Sequence, residues 1–172
     1  MSDVAAFDPE RIITVLAERG VRYILIGALA ARLQGFPRLT ADADITPARD
    51  ADNLSRLAAA LRDLDGRIYT DGVPEGLPFD WDGAALARAD IWNLATHAGR
   101  LDVVFSPTPD IGYDALRTNA IEFDVFGATL LVAELSDIVR LKEAADRPQD
   151  RQDVAVMREM LRRRPLDQAP GP

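Results

Sequence analysis

Apolar positions recur along the chain with two periods, and the switches between them divide it into elements. Over residues 7–19, Ile12, Ile13, Leu16 and Ala17 share one helical face, Asp8 stands as a cap ahead of Pro9, and Gly20 stops the helix. Residues 23–26 form a continuous apolar run between Arg22 and Gly27, the pattern of a short buried strand. Helical spacing resumes over 28–33 and breaks at Gly35 and Pro37. Residues 40–46 alternate strictly: Ala41, Ala43 and Ile45 face one side and Asp42 and Asp44 the other, the period of a half-buried strand that Pro47 ends. A helix over 51–64 carries Leu54, Leu57, Ala58 and Leu61 at core spacing, with Gly66 past its end.

From 72 to 83 the density of Gly, Pro and Asp predicts a long irregular loop. Runs at 90–96 and 100–105 predict a hairpin around a three-residue loop, His97-Ala98-Gly99, and runs at 121–125 and 129–132 a second one around Phe126-Gly127-Ala128. The span 134–145 turns helical with Leu135, Ile138, Val139 and Leu141 inward. Pro148 opens a last helix that buries Val154, Met157 and Leu161 and closes on Arg162 to Arg164, charges that suit the negative end of a helix dipole. Hairpins mixed with helices predict an α+β domain with a mixed sheet rather than a doubly wound one. The expectation is one domain over 1–164 and a disordered tail over 165–172.

Composition narrows the chemistry. The chain has 172 residues, a formal charge of −8 and no cysteine, so a basic nucleic-acid sheath, disulfides, thiolate metal sites and cysteine nucleophiles are all excluded. With His97 the lone histidine, any metal must be held by carboxylates. No apolar run reaches the roughly 18 residues of a membrane span, and the N-terminus lacks a basic leader start, which together predict a cytoplasmic protein without a membrane partner. Of the 20 basic residues 19 are Arg, so the single Lys142 stands out.

Two acids spaced two apart on a strand place both carboxylates on one face roughly 7 Å apart, close enough to converge on hard cations. The chain contains six such pairs where about four or five arise by chance, so the spacing alone carries little information. Only Asp42 and Asp44 follow a strand, a Gly turn at Gly27, a short helix from Ala28 and a second strand with an apolar reverse face. Free N–H groups at that helix start suit phosphate oxygens beside metal-holding carboxylates. A third acid, Asp102, sits between Leu101 and Val103; such a residue is paired, hydrogen-bonded or metal-bound, or else simply faces water on its strand.

With these residues in place, VRYILIGALAARLQGFPRLTADADITP (21–47) resembles the opening of the nucleotidyltransferase fold: an apolar strand, Gly-Ser or Gly-Gly, about a dozen residues, then Asp-x-Asp. The segment LSDIVRLKEAADRPQDRQDVAVMREML (135–161) resembles the tail of the branch that includes AbiEii and MenT-type toxins, where a Lys precedes an Arg-Pro-x-Asp-x-x-Asp helix entry. The resemblance implies that Asp42, Asp44 and Asp102 bind Mg²⁺ or Mn²⁺ ions that bridge an NTP and activate the acceptor, by two-metal in-line chemistry. It further implies that Lys142 contacts the triphosphate, that Asp150 and Asp153 either orient Lys142 or Arg147 or serve as helix N-terminal acids complementing the dipole, and that Arg38 and Thr40 are candidates for nucleotide contact. The second motif residue, usually Ser or Gly, is Ala28 here, which leaves only backbone N–H groups to meet phosphate there.

The resemblance implies transfer of NMP from an NTP to RNA, such as a tRNA 3′ end, with a cognate antitoxin as protein partner. Arg158 and Arg162 to Arg164, helped by Arg151, are either a basic patch for that RNA or a helix-end charge cluster. Nucleotidylation of a small cationic antibiotic or of a protein side chain is the second enzymatic reading, which the acidic charge suits. A nucleotide-binding partner module without turnover is the third, favoured by Ala28.

Overall fold

The alternation at 40–46 becomes the strand around which the molecule is organised. In the computed structural model, which describes residues 5–164, this strand is β2 (Asp42–Pro47). It pairs antiparallel with β1 (Tyr23–Ile26) on one side and parallel with β6 (Gly99–Val104) on the other. The remaining strands are β3 (Arg67–Thr70), β4 (Val73–Leu77), β5 (Ile91–Thr96), β7 (Ile121–Val125) and β8 (Ala128–Val132). Together they form one eight-stranded mixed sheet in the order β4-β3-β5-β6-β2-β1-β8-β7. The helices are α1 (Pro9–Glu18), α2 (Gly27–Leu33), α3 (Ala51–Asp63), α4 (Gly83–Leu86), α5 (Tyr113–Arg117), α6 (Leu135–Ala145) and α7 (Pro148–Arg163). The fold is thus the expected α+β mixed sheet flanked by helices, with two helices closing the C-terminal side.

Local chemistry sets the element ends. Asp8 accepts a hydrogen bond from the Arg11 N–H and Asp50 one from the Asn53 N–H, each capping the helix that follows. Phe126 and Gly127 both take positive φ, 54° and 75°, so the β7–β8 hairpin closes through a two-residue turn whose twist matches its strands. Ala128 therefore belongs to β8 rather than to the loop. Likewise Gly99 pairs with Thr96, and the β5–β6 turn is His97-Ala98 alone. The core lies on the sheet face opposite Asp42 and Asp44, where Leu25, Ala43, Ile45, Leu101 and Val103 pack in one cluster with Ile12, Leu16, Leu57 and Leu61.

Three expectations are corrected. The span 72–83 is not a long loop: Val73–Leu77 pairs with β3 as the edge strand, and Gly83–Leu86 is helical. Its far end is anchored by Trp81, 2% exposed, whose indole N–H donates to the Gly66 carbonyl at 2.6 Å and which packs with Phe79 and Trp92. The short helix Tyr113–Arg117 lies in a stretch where no element was expected. Leu161 is only half-buried, while Asp150 and Asp153 sit inside with Val154 and Met157. The tail expected over 165–172 lies outside the described residues. No helix among the described residues is long and apolar enough to cross a membrane.

Candidate active site

Period-two geometry turns Asp42 and Asp44 to the same face of β2 while Ala43 and Ile45, 1% and 0% exposed, point into the core. The parallel register with β6 sets Asp44 directly beside Asp102, and the antiparallel register with β1 sets it beside Ile26. The chain then turns sharply at Gly27, whose φ is +71°. A Cβ at Gly27 would stand 2.1 Å from the Asp44 Oδ2, so only glycine lets β1 run into α2 beneath that carboxylate. Gly27 thus serves the carboxylate itself, in addition to opening the start of α2, where no side chain caps the free N–H groups.

The three carboxylates feel one another. Burial, reinforced by the charges of Asp42 and Asp102, pushes Asp44 up to about 7, against the pull of Arg147 and Lys142. Burial also raises Asp102, which Arg100 partly offsets and Asp42 reinforces. Asp42 is oriented from below by Thr40, whose hydroxyl donates to its Oδ1 at 2.5 Å. Thr40 is thereby committed to the carboxylate rather than pointed at a nucleotide.

A charged chain closes the other side of the site. At the α6–α7 corner Asp146 adopts the left-handed conformation with φ 47°, Arg147 is extended as the residue before a proline, and Pro148 occupies the first helical position. This tight corner folds α7 back over α6 and lays Asp150 and Asp153 onto Lys142, whose Nζ donates to both at 2.9 Å. Asp150 also accepts from the Arg147 Nε at 2.6 Å, and Asp153 from the Arg38 Nη1 at 2.6 Å. Three cations and two carboxylates alternate, tying the segment ahead of β2 to both helices. Burial opposes ionisation of Asp150, yet Arg147 and Lys142 hold its carboxyl below the usual range. Lys142 is 11% exposed and spends two of its three N–H donors within the protein, whereas Arg147 is 73% exposed and faces the carboxylates with most of its guanidinium open. Arg147 is therefore the better placed of the two to meet a phosphate.

The donor set suits a hard divalent cation. It consists of carboxylate oxygens, one of which, the Asp102 Oδ1, is buried with no hydrogen-bond partner and stands 3.6 Å from the Arg100 Nη2. Among the described residues, however, no three acidic or imidazole groups are gathered closely enough to hold one ion, so ligation requires the Asp42, Asp44 and Asp102 side chains to draw together.

The C-terminal arginines do not form a free basic patch. Arg158 pairs with Glu143, Arg162 and Arg163 with Glu159, Arg164 with Glu134, and Arg151 with Asp146. Conversely, Arg67 and Arg100, which no motif in the sequence singles out, lie on the same sheet face as the carboxylates. The available signal was the Arg100-x-Asp102 spacing on a strand.

No family model matches the chain, and no curated protein matches it in sequence. In structure it is similar to the lincosamide antibiotic adenylyltransferase LnuA, solved with lincomycin bound, with a TM-score of 0.58 at 14% identity over 89% of this chain and 98% of that one. The fold is that of the nucleotidyltransferases. A protein from Thermotoga maritima assigned to the same class is similar over 95% of this chain and 100% of its own, at 13% identity and a TM-score of 0.53.

Proposed function

We propose that the protein is a divalent-cation-dependent nucleotidyltransferase that moves NMP from an NTP to RNA. The observation that carries this reading is the register of Asp44 beside Asp102, with Asp42 on the same face, in a sheet of the nucleotidyltransferase fold. Asp42, Asp44 and Asp102 would hold Mg²⁺ or Mn²⁺, which when bound neutralises the carboxylates and polarises the triphosphate. Gly27 keeps Asp44 in place, and Thr40 fixes the rotamer of Asp42. Arg147 meets the triphosphate from the helix corner, while Lys142, clasped by Asp150 and Asp153, holds that corner in position and keeps one N–H for a phosphate oxygen. On the acceptor side, Asp102, whose Oδ1 has no hydrogen-bond partner, would complete the cation site that activates the attacking hydroxyl. The toxin role and its antitoxin partner belong to this proposal through the resemblance of residues 135–161.

A second reading is favoured by the likeness to LnuA and by the formal charge of −8: transfer to a small antibiotic, for which an acidic surface suits a cationic acceptor. Incubation of the protein with Mg²⁺ and each labelled NTP, with bulk tRNA, with an antibiotic panel or with neither, decides between them. Label on tRNA that vanishes with Asp44→Ala supports the first reading. Label on an antibiotic, or none on any acceptor, refutes it.

A further inference from the structure

The sheet face continues past the carboxylates, and its polar residues fall in two cross-strand rows. One row runs Asp42, Arg100, Ala95, Arg67 across β2, β6, β5 and β3; the next begins Asp44, Asp102, Asn93. Ala95 is small and buried, so nothing bulky separates the stems of Arg100 and Arg67. The face is open to solvent over β5, where Asn93 is exposed and Ile91, opposite Val104, is 55% exposed.

Each of these two arginines has a donor that its surroundings leave unmatched. The Arg100 guanidinium lies 3.4 Å from the Tyr69 ring centroid, stacked rather than hydrogen-bonded, and its contact with Asp102 at 3.6 Å is longer than a hydrogen bond. The Nε of Arg100 and the Nε of Arg67 are each buried without an acceptor, and Arg67 takes part in no ion pair among the described residues. Buried guanidinium donors are ordinarily matched by a carboxylate, a carbonyl or a phosphate. In a chain of charge −8 in which most arginines are already paired with acids, an Arg67 without an ion pair and an Arg100 whose contact with Asp102 is long, each with an unmatched Nε on an open face beside the candidate catalytic carboxylates, point to an anion brought by a ligand.

We infer that Arg67 and Arg100 bind a phosphate ester of the acceptor, with Tyr69 as the platform that sets the Arg100 plane. This rests on the transferase reading and narrows it: the acceptor is anionic at this point, and a polycationic antibiotic is disfavoured. Arg100 stands between Arg67 and Asp42, so it shields the bound phosphate from the nearest carboxylates. The planar fork of each guanidinium suits phosphate oxygens, which a lysine would meet only as a point charge.

The test is equilibrium binding by the full chain of a labelled single-stranded RNA, a sugar phosphate and an aminoglycoside, with Mg²⁺–NTP binding measured on the same samples. Arg67→Gln is expected to weaken RNA binding by roughly tenfold and to reduce its salt slope by about 0.7, with Mg²⁺–NTP binding unchanged. Arg67→Lys is expected to recover only part of the loss. Loss of RNA and sugar phosphate binding together supports the proposal and shows that the phosphate ester suffices; loss of RNA binding alone supports it with RNA as the source. Should Arg67→Gln fail to melt cooperatively, Arg67→Lys, with its partial loss of RNA affinity, reads the same outcome. RNA affinity equal in the wild type and the variant, or an aminoglycoside bound more tightly than either phosphate probe, overturns it. Absent Mg²⁺–NTP binding with Arg67-dependent RNA binding intact would sink the transferase reading and leave this site standing.

Discussion

Replacing Asp44 by Asn tests the electrostatics of the site through folding stability, without any substrate. The amide has nearly the volume of the carboxyl, so the close approach to Gly27 persists while the titrating charge is gone. Folding moves Asp44 from 3.8 to about 7, chiefly through burial, and at about 1.4 kcal/mol per pH unit this corresponds to about 4 kcal/mol. A carboxyl raised in the folded state binds its proton more tightly there than in the unfolded chain. Its protonation therefore supports the fold fully below the unfolded value, and that support is lost as pH rises towards 7. In chelator-treated buffer, urea unfolding should give wild type and Asp44→Asn similar stabilities near pH 4. The variant should then gain up to about 4 kcal/mol over wild type by pH 8, the upper figure because the neighbouring carboxylates relax. Adding Mg²⁺ at pH 8 should stabilise the wild type and narrow the gap, because a bound cation relieves the same repulsion. A gap independent of pH, or a wild type more stable than the variant at pH 8 without metal, would mean that burial does not raise the Asp44 carboxyl.

Gly27→Ala should destabilise by roughly 1–3 kcal/mol, because it combines a positive φ with a Cβ driven into the Asp44 carboxylate; denaturant unfolding at pH 7 measures it. Lys142→Met leaves Asp150 and Asp153 with one fewer buried cation and should cost about 3 kcal/mol at pH 7. Since Arg147 and Lys142 keep the Asp150 carboxyl below its usual range, that cost should shrink as pH falls through the folded value, which unfolding curves at descending pH would follow. Arg147→Gln removes one of the two cations on the buried Asp150 and should cost about 1 kcal/mol, less than Lys142→Met because its side chain is 73% exposed, while weakening NTP binding about tenfold by titration calorimetry.

The sequence was readable where one local rule dominated. Residues 23–26 form a strand with the expected limits because Arg22 and Gly27 bound a run too short for a helix, and the cap at Asp8 forms as its side chain allows. The β4 strand was hidden because Pro74 and Gly76 both disfavour a sheet interior; an edge strand tolerates them, since its outer side needs no partner. Its fixed position depends on Phe79, Trp81 and Trp92 meeting across sequence, which no local pattern reveals. In the site, the face shared by Asp42 and Asp44 follows from period two, but the pairing of Asp44 with Asp102 is a register fact, legible only in three dimensions. The same holds for Arg67 and Arg100, which align only through Ala95 on the strand between them. Lys142 stood out by its rarity; that Asp150 and Asp153 occupy two of its donors depends on the sharp corner at Asp146 to Pro148.

On the proposed reading, Asp42, Asp44 and Asp102 form a cation site that receives a triphosphate. Anomalous diffraction from crystals grown with Mn²⁺ and an NTP whose α,β-bridge resists cleavage addresses it most directly. Manganese peaks ligated by these three carboxylates are expected, with the triphosphate running from them towards Arg147 and no peaks in Asp44→Asn crystals. Manganese bound elsewhere, or a triphosphate seated away from this sheet face, would contradict it.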